Sequence, residues 1–103
     1  MACFKQLPGY NSPMALFTVL LEFNGGTYIS QLRAASAHKA AAKHAARLIS
    51  NKAVGTLATR RLLAQRLAAD KPVAIEGVHN VWCCYSSVGN TSALVNIVGT
   101  VEP

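Results

Sequence analysis

The tripeptide Asn24-Gly25-Gly26 stands between two stretches that alternate apolar and polar residues, and it constrains the fold more than any other feature of the chain. Residues 16–23 set Phe17, Val19, Leu21 and Phe23 on one side and Leu16, Thr18, Leu20 and Glu22 on the other, the period of two that marks a strand. Asn and Gly accept positive φ at low cost, so the tripeptide carries the chemistry of a tight turn between antiparallel strands. The spacing predicts a hairpin made of residues 16–23 and 27–33.

Residues 36–50 contain neither Gly nor Pro and are rich in Ala, which predicts a helix with Ser36 as its N-cap. At about 100° per residue, Ala37, Ala41, Ala45, Leu48 and Ile49 share one face, and Lys39, Lys43 and Arg47 share the other. Residues 51–55 read as a connector. A second helix, 56–70, must end before Pro72, because the residue preceding a proline is driven out of the helical region. Its expected buried stripe is Leu57, Leu63, Ala64 and Leu67, with Arg60 on that stripe and Leu62 off it. Strand composition returns in three runs, 73–78, 81–88 and 94–101, separated by His79-Asn80 and by Gly89-Asn90-Thr91-Ser92. Trp82 and Tyr85 are expected to pack within the resulting sheet. The order β-β-α-α-β-β-β implies an α+β fold, a mostly antiparallel sheet of four to five strands with two helices packed on one face.

A chain of 103 residues with 51% apolar and 14% charged content is sized and composed for one folded domain. The turn formers Pro8, Gly9, Asn11, Ser12 and Pro13 give residues 1–13 the character of a flexible leader ahead of a single domain, 14–103, and Met14 offers a second start. The N-terminus lacks a secretory pattern. The uncharged stretch 77–101 holds too many Asn, Ser and Thr residues for a membrane helix, so a cytoplasmic protein without a membrane partner is the expectation. Cysteines are odd in number, Cys3, Cys83 and Cys84. Neighbours on one strand point to opposite faces, so Cys83 and Cys84 are poorly placed to bridge, and each reads as a small buried hydrophobe in a reducing compartment.

Charge is the feature that rises above this background. Arg33, Lys39, Lys43, Arg47, Lys52, Arg60, Arg61, Arg66 and Lys71 are nine of the ten basic residues, and between positions 33 and 71 only Asp70 opposes them, for a net +8. The remaining residues sum to −2, with Lys5 set against Glu22, Glu76 and Glu102. Cations without interleaved acids attract phosphates. Arg33, Lys39, Lys43, Arg47, Arg60, Arg61 and Arg66 are therefore candidates for anion or nucleic-acid contact, and Lys39, Lys43 and Arg47 would form a ridge about 12 Å long. Solvated helix faces with cations near both helix C-termini explain the same pattern. Neither an aromatic platform nor a set of Asn and Gln side chains accompanies the cations, so any such contact would be to the nucleic-acid backbone.

The residues of catalysis are sparse. Glu22, Asp70, Glu76 and Glu102 are too scattered to suggest a paired acid and base, and His79, Cys83 and Cys84 lack a fourth ligand for zinc. On an extended strand His79 and Cys83 would stand about 13 Å apart, beyond the reach of a base and its nucleophile. His38 falls in the apolar arc of the first helix and reads as a core histidine. No enzyme, no cofactor, no metal and no small-molecule substrate is expected.

Residues 17–49 combine a strand ending in Leu21-Glu22, the Gly25-Gly26 turn, Tyr28 on the return strand and a Ser36 helix with regularly spaced alanines. This resembles the opening of HicB-type antitoxin domains over about a third of the chain. The Pro-Gly loop of that family is missing, and Lys and His replace its acidic helix residues. The resemblance implies a protein partner and DNA autoregulation. From the residues themselves, the uncharged C-terminal strands lack the Lys and Pro that protect sheet edges. That absence points to a binding or assembly module, a homo-oligomer or the partner of another protein, with nucleic-acid binding through the basic helical layer as the alternative.

Overall fold

The computed structural model describes residues 14–101, so the leader expected at 1–13, Cys3 within it, and Glu102 lie outside the described residues. Two antiparallel strands open the fold, β1 (Ala15–Phe23) and β2 (Gly26–Ala34). Their two-residue turn holds Asn24 at φ 53° and Gly25 at φ 83°, the left-handed pair that matches the twist of a hairpin. Two helices follow, α1 (Ala37–Arg47) and α2 (Leu57–Ala69), and then β3 (Val73–Ala74), β4 (Val81–Val88) and β5 (Thr91–Gly99). All pairings are antiparallel, in the order β2-β1-β5-β4-β3. The expected α+β fold, five strands in one sheet with two helices in the order β-β-α-α-β-β-β, is what forms.

Local chemistry starts both helices. The Ser36 hydroxyl accepts the Lys39 N–H at 3.1 Å, and the Thr56 hydroxyl accepts the Thr59 N–H at 3.2 Å, each satisfying a donor that the helix leaves unpaired. Two single 3₁₀ turns, Leu48–Ser50 and Lys52–Val54, carry the chain from one helix to the next.

The core lies between the helices and one face of the sheet. Phe17, Val19, Leu21 and Phe23 of β1, Leu32 and Ala34 of β2, Cys84 and Val88 of β4, and Ala93, Val95 and Ile97 of β5 point into it. Ala37, Ala40, Ala41 and Ala45 of α1 and Leu63 and Leu67 of α2 close it from above. Small alanines let α1 lie close on the sheet, where its axis crosses bulkier side chains. Trp82 packs edge-on against Phe17, with ring centroids 5.9 Å apart and planes at 67°.

Four sequence expectations are corrected. The strand expected over 73–78 shrinks to Val73–Ala74, because the chain turns at Glu76 and Gly77, the latter at φ 83°. Tyr85 does not pack inside the sheet but is 69% exposed, since the buried side chains of β4 are those of Cys84, Ser86 and Val88 and Tyr85 has the opposite parity. Cys84 is buried as expected, whereas Cys83 is only half-buried on the other face. Leu57 begins α2 but stands 43% exposed, outside the buried stripe.

Candidate protein-interaction face

Among the described residues, helices cover one side of the sheet only. On the other side the ladder register lines up the side chains in rows that cross the strands. One row runs Ile29, Leu20, Asn96, Cys83 and Val73 from β2 to β3. The next is Thr27, Glu22, Leu94 and Tyr85, and on the other flank lie Gln31, Thr18, Val98 and Val81, followed by Arg33 beside Leu16. Ile29 is 60% exposed and Tyr85 69%. Leu16, Leu20, Leu94 and Val98 are shielded in part by their neighbours in the sheet, yet nothing among the described residues lies over them. The polar centre of the face is ordered, with Gln31 Nε2 donating to Thr18 Oγ1 at 3.0 Å and the hydroxyls of Thr18 and Thr100 at 2.6 Å.

Among the described residues, the strands of this face carry two charged side chains, Glu22 and Arg33. They sit at opposite ends of the first hairpin, six positions apart along β1 because Arg33 pairs with Leu16. Six positions in a strand correspond to about 20 Å. The Arg33 guanidinium donates to the Met14 carbonyl at 3.4 Å.

The uncharged C-terminal strands acquire a different meaning in the sheet. β5 is central, between β1 and β4, so it needs no edge protection. The flanks belong to β2 and to the part of β4 beyond its short pairing with β3. Cations from the helices meet both flanks. Lys43 Nζ donates to the Arg33 carbonyl at 3.0 Å, and Arg66 Nε donates to the Ser87 carbonyl at 3.1 Å. In each hairpin the closing pair beside the two-residue turn is hydrogen-bonded, so the alternation of the ladder turns the main-chain groups of Arg33 and Ser87 outward. Two of the cations thus occupy carbonyls that an added strand would use.

No family model, curated protein or solved structure matches this chain. The antitoxin resemblance in residues 17–49 draws no support from those comparisons.

The seven basic candidates are not gathered into one surface. Arg33 lies on the open sheet face, away from the helices, while Lys39, Lys43 and Arg47 line the outer side of α1 and are exposed. Arg61 and Arg66 are exposed on α2. Arg60 is only 9% exposed, and its guanidinium is held by the chain itself. Its Nε donates to the carbonyls of Gly55 at 3.1 Å and Thr56 at 3.3 Å, and Nη1 donates to the Ile49 carbonyl. That side chain clips the turn after α1 to the first turn of α2.

The histidine of the core is His44 rather than His38. His44 is 2% exposed, with Nδ1 at 2.6 Å from the Ser30 hydroxyl and Nε2 at 3.1 Å from the Tyr28 carbonyl. A carbonyl can only accept, so Nε2 carries the proton and Nδ1 accepts from Ser30. Burial pushes the His44 pKa below its ordinary value, the charge of Arg47 pushes the same way, and the Tyr28 hydrogen bond opposes both. The position was legible, since His44 follows Ala41 by three and precedes Leu48 by four on the buried stripe. His38 is half-buried, its Nε2 at 2.8 Å from the Ala68 carbonyl.

An open groove at the start of α1 is lined by Phe17, Ser36, His38, Lys71, Pro72 and Trp82. Its hydroxyl already caps the helix and its imidazole already meets the Ala68 carbonyl, so no base stands ready beside a nucleophile. Among the described residues no three His, Cys, Asp or Glu side chains converge as metal ligands, and no helix is long and apolar enough to cross a membrane.

Proposed function

We propose that this chain is a small, non-enzymatic assembly module that binds a protein surface through the open face of its sheet. The observation that supports the reading is the one-sided layering: exposed Ile29 and Tyr85 border half-shielded Leu16, Leu20, Leu94 and Val98, and among the described residues no helix covers them. Apolar side chains gathered on one face gain free energy when a partner removes them from water. The flat shape of a sheet suits another sheet or an extended surface better than a small ligand. Unbridged Cys83 and Cys84 support a reducing, cytoplasmic setting for this role.

Nucleic-acid binding has weaker support. Arg60 is enclosed, Arg33 is on the far side of the sheet, and Lys43 and Arg66 are each engaged with a strand carbonyl. Lys39, Arg47 and Arg61 remain as exposed helix cations without an aromatic companion, which is the ordinary dress of a solvated surface.

The test is site-specific photo-crosslinking in the expressing cell. A photoreactive residue at position 29 or 85 is expected to give protein adducts, and the same residue at position 61 on the helical layer is not. Adducts that favour position 61, or nucleic acid captured there, would overturn the reading.

A further inference from the structure

On the helical side of the sheet, the connections that enter and leave the helix pair stop short of each other. Ala35, Ser36 and Ala37 lead from β2 into α1, and Lys71 and Pro72 lead from α2 towards β3. Methyl groups and a proline ring do not fill the gap, which stays open at about 540 Å³ with Phe17 and Trp82 in its walls. Small-molecule sites run from roughly 300 to 1,000 Å³, so the hollow is of that size. Trp82 packs on the Phe17 ring and is only half-buried, which leaves part of a large flat apolar surface uncovered. The side-chain polar groups of the hollow are mostly donors without acceptors. Lys71 is its one formally charged side chain, and no Asp or Glu lines it. Among the described residues, neither the Lys71 ammonium nor the Trp82 indole N–H meets an acceptor. Ser36 Oγ accepts the Lys39 N–H and still has its own proton to give. His38 Nε2 gives its proton to the Ala68 carbonyl, and its Nδ1 is the one side-chain nitrogen left to accept.

We infer that this hollow binds a small aromatic carboxylate, its ring packed on Trp82 and its carboxylate turned to Lys71. Each half of the ligand answers a different part of the wall. A flat ring removes the uncovered indole surface from water and gains the offset or edge contact that aromatic pairs favour. A carboxylate accepts from the ammonium and from the Ser36 hydroxyl, and no acid in the lining repels it. A cationic ligand is repelled by Lys71, and a sugar, polar on all sides, meets methyl groups and rings that cannot pair with its hydroxyls. Lys71 is exposed, so its attraction is worth a few-fold in affinity and the ring carries most of the binding. The ligand is held and not transformed, because no base stands beside a nucleophile. The site lies on the opposite side of the sheet from the bare face, and the inference goes beyond the assembly reading without resting on it.

The experiment is amide NMR shift mapping on the full, isotope-labelled chain, wild type and Lys71→Gln. The probes are 2-naphthoate, its neutral analogue naphthalene-2-methanol, and cyclohexanecarboxylate, which keeps the charge and lacks the ring. In the wild type, 2-naphthoate is expected to shift the signals of residues 35–38, Lys71 and the Trp82 indole, and to saturate with a Kd of about 1 mM or tighter. Leu20, Leu94 and Tyr85 on the bare face are expected to stay in place. The alcohol and the cyclohexane acid are each expected to bind at least about twofold more weakly. Lys71→Gln is expected to bring 2-naphthoate to the affinity of the alcohol and to leave the alcohol unchanged, which also shows that the variant is folded. Shifts that do not saturate by about 5 mM, or that fall on the bare face, overturn the site. An acid and an alcohol that bind within twofold of each other, or a difference between them that survives Lys71→Gln, overturn the carboxylate, and a cyclohexane acid as tight as 2-naphthoate overturns the ring. None of these failures touches the crosslinks expected at positions 29 and 85.

Discussion

Replacing Arg60 with Met keeps an unbranched apolar stem and deletes the charged fork that joins the two ends of the interhelical connection. Three carbonyls lose a donor, those of Ile49, Gly55 and Thr56. They do not count as three full bonds. Nε divides itself between Gly55 and Thr56, and the Thr56 carbonyl still accepts the Arg60 main-chain N–H at 2.9 Å. About two charge-assisted bonds are therefore lost, each of about 1.5–3 kcal/mol. Against this, a cation in the first turn of α2 opposes the helix dipole, and its removal returns about 0.5–1 kcal/mol. The net expectation is a loss of about 2–5.5 kcal/mol. In urea unfolding followed by Trp82 emission, with a slope of roughly 2 kcal/mol per molar, the midpoint should fall by about 1–3 M at unchanged slope. Arg60→Lys should recover less than half, because an ammonium is a compact charge that cannot fork to both sides. An Arg60→Met protein within about 0.5 kcal/mol of the wild type would refute the clip and return Arg60 to the pool of surface cations.

Two further predictions concern the core. His44 is held neutral, with its folded pKa below the unfolded value, so the unfolded state binds more protons and stability rises with pH between the two values. Acidification from pH 7.5 through about 6.5 and below should destabilise the protein with a contribution of at most about 1.4 kcal/mol per pH unit from this residue. His44→Gln should flatten that part of the curve, and equal slopes in the two proteins would remove His44 as its source. Leu63→Ala should cost about 2–5 kcal/mol because the side chain has no exposed surface, whereas Leu57→Ala, from the same expected stripe, should cost about 0.5 kcal/mol or less. Thermal unfolding of the two variants side by side separates them.

What the residues disclosed was local. The turn at Asn24-Gly25 and the Ser36 cap are decided by chemistry within four residues and formed where expected, and the same local chemistry makes Thr56 the cap of α2 rather than its first residue. The facing of β4 was not decided locally, because Val81, Cys83 and Tyr85 at one parity are about as apolar as Trp82, Cys84 and Val88 at the other. A strand with that pattern is assigned its inside only by the register it takes against β5. Arg60 and His44 illustrate the converse. Spacing put Arg60 on the expected stripe of α2 and His44 between Ala41 and Leu48, but the groups that satisfy them, the carbonyls of Ile49, Gly55 and Thr56 and the oxygens of Ser30 and Tyr28, are brought together only by the fold. One-sided covering of the sheet was expected from the order of the elements, but which face it leaves bare was not, since β1 presents Leu16 and Leu20 on the bare side and Val19 and Leu21 on the covered one.

The cations that meet the two flanks of the sheet bear on how far an assembly can grow. A strand flank copies itself, for each chain that adds to it brings another flank, and growth by that route makes a ribbon without a natural end. A face behaves otherwise, because two copies that cover each other leave nothing to extend. Lys43 on the Arg33 carbonyl and Arg66 on the Ser87 carbonyl obstruct the first route at both sides of the molecule and leave the second untouched. Two cations of the basic layer, Lys43 and Arg66, thus have a structural place at the flanks of the sheet, on carbonyls that an added strand would otherwise meet.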